Sequence, residues 1–109
     1  PKCIGMNKAK EILFTGKMLT AADALELGIL NHVTEPEQLM EEVYAMAGQI
    51  AGNSASAISL VKAAVNAGAD MDIDIGKNIE LGYMAACFGT PDQIEGFASF
   101  KEKRAAKFR

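Results

Sequence analysis

Apolar positions along the chain recur at three- and four-residue spacing, and Gly, Pro and hydroxyl residues divide the pattern into short runs. Ala9, Ile12 and Leu13 predict a helix over Asn7 to Thr15, with Gly16 as its stop. Thr20 and Asp23 form a capping-box pattern at the head of a brief helix, Ala21 to Leu27, which Gly28 ends. Ile29 to Val33 is the one candidate strand. Thr34 and Glu37 repeat the capping-box spacing, with Pro36 tolerated in the first turn, ahead of a helix reaching about Gly52. That helix carries Leu39, Val43, Ala47 and Ile50 on one face. Ser54 caps a fourth helix, with Ala57, Val61, Ala64 and Val65 in line and Gly68 at its end. Asp72 or Asp74 opens a fifth, striped by Ile75, Ile79, Tyr83 and Ala86 or Cys87, and Gly89 terminates it. Thr90-Pro91-Asp92-Gln93 is the strongest start signal, and the last helix is predicted to run to about Lys107. Its apolar face holds Ile94, Phe97 and Ala98, with Phe100 beside it. The pattern therefore predicts an all-α chain of about five to six short helices and at most one short strand.

Composition supports that reading. Half of the 109 residues are hydrophobic but only 6% are aromatic, so the apolar surface comes from Ala, Ile, Leu, Val and six Met. Helix-on-helix packing suits this better than a β-sandwich, which draws on Val, Thr, Tyr and Phe. A chain of this size buries only about two-thirds of its unfolded surface, so association with further surface would stabilise it.

Charge and cysteine usage narrow the function classes. A net charge of -3 disfavours general nucleic-acid binding, which needs a basic surface against phosphates. Basic residues still gather at the end, in Lys101, Lys103, Arg104, Lys107 and Arg109, as a solvated helical tail or a local anion site. Cys3 and Cys87 are far apart and carry no C-x-x-C spacing, which suggests neither zinc nor a disulfide framework and points to a reducing cytoplasm. No apolar run approaches the ~18 residues of a membrane span. No signal peptide is visible, and the chain opens on Pro1 rather than Met, which suggests that a native N-terminus precedes it.

Motifs for familiar chemistries are missing. There is no G-x-G-x-x-G, no G-x-S-x-G and no H-E-x-x-H, and Gly16-Lys17 lacks the upstream glycine of a phosphate loop. His32, the only histidine, has no neighbouring nucleophile and reads as structural rather than as a general base. Glu41-Glu42 and Asp70, Asp72 and Asp74 read as solvated helix faces, since nothing marks them as desolvated. No catalytic residue and no metal ligand is assigned.

Three ordered stretches resemble the enoyl-CoA hydratase/isomerase (crotonase) family. The first runs from Ile4-Gly5 through Ala9-Lys10-Glu11-Ile12-Leu13-Phe14-Thr15-Gly16-Lys17, then Ala21 to Ala24 and Leu27-Gly28-Ile29-Leu30-Asn31, to Val33. The second holds Ile50-Ala51, Ser54, Ala57, Lys62, Ala64 and Asn66. The third holds Glu80, Phe88, Thr90, Asp92, Glu95-Gly96, Phe100 and Glu102-Lys103-Arg104. Within the family, the short bacterial crotonases that interconvert 3-hydroxybutyryl-CoA and its dehydrated product are the most similar in feel. Two positions depart from the pattern: Ala55 stands where Pro often follows Asn-Ser, and Met84 stands where many members carry Phe near the coenzyme.

The resemblance implies the C-terminal portion of an α/β spiral fold. Residues 1–52 would form the end of the spiral core, and residues 53–109 a helical domain of the kind that packs trimers. The family's oxyanion hole and catalytic carboxylates would lie before Pro1. What remains implies homo-oligomerisation and contact with a coenzyme A thioester, the substrate of the parent reaction, with no covalently bound cofactor. Lys103 matches a lysine that reaches CoA phosphate, and Met84 offers an apolar but not flat surface to the coenzyme. The expected role is a region contributing oligomerisation and CoA contacts to the reversible hydration of short-chain 2-enoyl-CoA, inactive alone. The alternative is a stand-alone helical interaction module with no CoA role.

Overall fold

The computed structural model describes residues 1–108. Among them are six α-helices: α1 (Met6–Thr15), α2 (Ala21–Glu26), α3 (Leu39–Ala51), α4 (Ala55–Gly68), α5 (Ile73–Cys87) and α6 (Pro91–Glu102). The chain divides into two compact units, Pro1–Val43 and Tyr44–Arg109.

In the first unit, α1 ends where Gly16 turns left-handed at φ 64°. Only a residue without a Cβ adopts that region readily, so the glycine stops the helix. The Thr20–Asp23 capping box forms as its spacing predicts. The Asp23 N–H donates to Thr20 Oγ1 at 3.1 Å, and the Thr20 N–H donates to Asp23 Oδ2 at 2.9 Å. Two donors that α2 would leave unpaired are thereby satisfied.

The expected strand over 29–33 does not form, and no strand occurs among the described residues. The Ile29 and Leu30 N–H groups both donate to the Ala24 carbonyl, wrapping the chain off the end of α2. A lone strand has no ladder to join, so these amides take the nearest helical carbonyl instead. The Thr34–Glu37 capping box does not form either. Pro36–Gln38 is a 3-10 turn whose preceding residue is Glu35, and the Gln38 N–H donates to the Glu35 carbonyl. The tighter turn shifts the helix start to Leu39 and takes Thr34 out of register. Its buried Oγ1 has no hydrogen-bond partner among the described residues.

In the second unit, α4 and α5 are the helix pair that packs extensively. Ser54 caps α4 by accepting from the Ala57 N–H at 3.1 Å, and Asp72 caps α5 by accepting from the Asp74 N–H at 3.0 Å. Thr90 caps α6, accepting from the Gln93 N–H at 3.2 Å, while Gln93 Oε1 reaches back to the Gly89 N–H at 3.0 Å.

The starts of α2, α4, α5 and α6 are capped by side chains, but the helix faces are not covered. Ala9, 3% exposed, is the one buried hydrophobic residue among those described. Leu13, Phe14 and Leu25 in the first unit, and Val61, Val65, Ile73, Leu81, Ile94, Phe97 and Phe100 in the second, are exposed. The chain leaves 8902 Å2 accessible. A folded monomer of this mass exposes about 5,800 Å2, and two separately folded pieces the size of the two units about 7,000 Å2 together. The exposed apolar side chains contribute to this surplus, and surface of that kind normally meets another surface.

Candidate binding site at the end of α6

The basic end of the chain is where structure adds most to sequence. The expected helix to about Lys107 stops at Glu102, five residues sooner, because Lys103 turns left-handed at φ 52°, ψ 42°. The Lys103 N–H donates to the Phe100 carbonyl at 3.3 Å and the Arg104 N–H to the Ser99 carbonyl at 3.0 Å. These are the two bonds of a Schellman ending, in which the left-handed position is usually glycine. Lys103 is the only non-glycine residue with positive φ among those described.

Glu95, two turns back on α6, holds this turn closed. Its carboxylate accepts a bidentate pair from Arg104, with Nη1 to Oε1 at 2.5 Å and Nη2 to Oε2 at 2.9 Å. Oε1 also accepts the Lys107 backbone N–H at 2.7 Å. Arg104 Nε meanwhile donates to Glu102 Oε2 at 2.6 Å. A planar guanidinium meeting a carboxylate in this fork adds geometry as well as charge. The Arg104 side-chain bonds, followed by the Lys107 N–H, lower the Glu95 pKa from 4.5 to about 2. Arg104 is shifted upward in turn, first by Glu95 and then by Glu102. Residues 104–108 therefore fold back on α6, and the Phe108 ring comes within 3.9 Å of where a Cβ on Gly96 would stand.

Lys103 is thus placed on an exposed, fixed turn, with Lys101 in the last helical turn before it. Arg109, the final member of the basic cluster, lies outside the described residues. Met84 stands on α5 and is 57% exposed. The apolar groove of α4 and α5, lined by Val61, Val65, Ile73 and Gly76 among others, includes neither Met84 nor Lys103.

The remaining candidates acquire no chemistry. His32 is exposed, as are Glu41, Glu42, Asp70, Asp72 and Asp74. Among the described residues no group of three His, Cys, Asp or Glu side chains is placed to hold a metal ion. No helix among them is long and apolar enough to cross a membrane.

One buried carboxylate escaped the sequence reading. Asp92, 9% exposed, accepts from Ser54 Oγ at 2.6 Å, and Ser56 Oγ lies 3.5 Å away. It joins the N-terminal ends of α6 and α4, where the helix dipoles favour negative charge. Its neighbours make it a structural junction between two helix starts. Asp92 was legible as a dipole partner of α6, but its partner 38 residues away was not.

The model of the enoyl-CoA hydratase/isomerase family matches residues 1–109. This chain belongs to that family. It is 41% identical over 108 residues to a crotonyl-CoA hydratase of Syntrophomonas wolfei, covering 99% of this chain and 42% of that protein. It is also 43% identical over 100 residues to a short-chain-enoyl-CoA hydratase of Clostridioides difficile, covering 92% of this chain and 64% of the relative. The crystal structure of an enoyl-CoA hydratase from Bacillus anthracis superposes with a TM-score of 0.94 at 33% identity, over 99% of this chain and 42% of that one. The chain thus spans about two-fifths to two-thirds of these hydratases, and its all-helical architecture is the one that part of the crotonase fold adopts.

Proposed function

We propose that this chain serves as the C-terminal region of an acyl-CoA hydratase or isomerase, contributing subunit-packing surface and CoA contact rather than acid–base chemistry. The parent reaction on this reading is reversible hydration of a short-chain 2-enoyl-CoA, the class that the names of the two hydratase relatives describe. The observation that carries it is the family match along all 109 residues, on a chain whose described carboxylates are exposed or, like Asp23, Asp92 and Glu95, held in a cap, a helix junction or an ion pair.

Lys103 is the group that contacts a CoA phosphate. An exposed ammonium on a flexible stem pairs well with a phosphate at a wet surface. Met84 contributes an apolar contact whose adaptable side chain replaces a flat ring. Residues 1–52 close the end of the spiral core and residues 53–109 form the oligomerisation domain. The exposed apolar faces support association of chains in a trimer-type assembly. Free thiols at Cys3 and Cys87 fit a reducing cytoplasm.

Calorimetric titration of CoA into the 109-residue chain tests this reading. Binding that is lost in Lys103→Ala is the expected result. No binding leaves the interaction-module reading in its place. The same preparation should give no hydration of crotonyl-CoA above buffer, and measurable turnover would overturn the assignment of chemistry elsewhere.

A further inference from the structure

We propose that Glu95 is a positioning residue for the CoA contact, acting through Arg104 to hold Lys103 in the left-handed turn that presents its ammonium. This rests on the reading of Lys103 as the phosphate contact and extends it to a residue that no CoA atom need touch. Two independent observations carry it.

The first is the backbone at Lys103. A side chain in the left-handed region is costly, and a Schellman ending accommodates glycine without that cost. Lys103 nevertheless occupies the position at φ 52°. Strain held at one place by its surroundings is a sign that the side chain there is used. At the end of α1 the same left-handed position, φ 64° and ψ 23°, is filled by Gly16.

The second is what over-determines the turn. Two residues that follow Lys103 are tied to a single carboxylate on the helix before it: Arg104 by the two-pronged pair and Lys107 by its N–H. Glu95 precedes the turn on α6 and its partners follow it, so the pair closes the turn like a clasp. The Glu95 and Arg104 side chains are 23% and 37% exposed, which shelters the clasp better than the Lys8–Glu11 and Lys77–Asp74 pairs. Among the described residues the ion pairs of the clasp are made by Arg104 with Glu95 and Glu102, and the exposed Lys103 side chain stays available to an anion.

The sign of the effect separates positioning from simple electrostatics. Glu95 is negative, so removing its charge near a phosphate-bearing ligand should tighten binding if only Coulomb terms act. Loss of positioning predicts the reverse, because a mobile turn must be ordered on binding.

The test titrates CoA into the whole chain and into Glu95→Gln, Lys103→Gly and the double variant, with circular dichroism on each. Lys103→Gly keeps the turn and removes the ammonium, and should weaken CoA about tenfold with helicity unchanged. Glu95→Gln should weaken CoA about threefold with the helices intact, and should have no further effect in the Lys103→Gly background. Unchanged or tighter binding in Glu95→Gln, or an undiminished effect in the double variant, overturns the positioning role alone. Unchanged binding in Lys103→Gly, or no binding by the unaltered chain, overturns the CoA contact itself.

Discussion

The α4–α5 pair and the end of α6 belong to the same compact unit but are stabilised in opposite ways. The end of α6 is closed by polar groups within reach of one another: Glu95, Arg104, the Lys107 N–H and the Schellman carbonyls. The α4–α5 pair packs along its length and still leaves Val61, Val65, Ile73 and Leu81 exposed. Polar closure is local and is completed by the chain itself. Apolar closure is collective and calls for surface from beyond α4 and α5. The difference teaches that a helical segment can carry finished helix ends and an unfinished core at once.

Four perturbations bear on that contrast. The largest effect is expected for Asp92→Ala, which removes the acceptor of the buried Ser54 hydroxyl. Exchanging a charged acceptor for the Ser56 hydroxyl alone, 2.9 Å from Ser54 Oγ, costs about 1–3 kcal/mol, to be read from urea denaturation. A loss below half a kcal/mol would break the claim that polar closures hold this unit. Next is Thr20→Ala, which deletes a capping box worth about 1 kcal/mol. The Asp23 amide should then exchange with solvent about fivefold faster, and the Asp23 carboxyl, now held below its usual range first by the Thr20 side chain, should move back up.

The Glu95 clasp sharpens the comparison through pH. Its carboxylate has a lower pKa folded than free, so its contribution is complete above 4.5 and is lost as pH falls from there toward about 2. The Lys107 amide resonance should hold steady at pH 5 and shift across that window. The smallest effect on stability is expected for Val65→Lys in the α4–α5 groove, within about 0.5 kcal/mol, because the site is already exposed. Its effect belongs to association: light scattering should show the wild-type chain heavier than a monomer and the variant shifted downward. A sharp monomer mass for both would show that the apolar face needs no cover.

Most of the secondary structure was legible from short-range signals. Gly16, the Thr20–Asp23 box, Ser54, Asp72 and Thr90-Pro91 act within one turn of the chain, and each does what its spacing predicts. The errors share a cause, which is that a local pattern was outbid by a competing bond. Ile29 and Leu30 gave their amides to Ala24, Glu35 preceded a 3-10 turn where Thr34 was expected to cap a helix, and Glu95 closed a turn that helical periodicity ran straight through. The family was readable from the residues of three ordered stretches. Their contact geometry was not, because the Glu95–Arg104 pair spans nine residues and the Ser54–Asp92 pair 38, and neither spacing belongs to a recurrent motif.

The Ser54–Asp92 bond also has a kinetic meaning. It ties two helix starts into a ring of chain that contains all of α4 and α5. Closing a ring of that length carries an entropic cost that grows only slowly with its size, and once closed its members tend to open together. Amides near the two helix starts, such as those of Ala57 and Gln93, should therefore report one shared opening event in hydrogen exchange. The junction acts as the latch of a cooperative segment, and the two helices inside it are released as one.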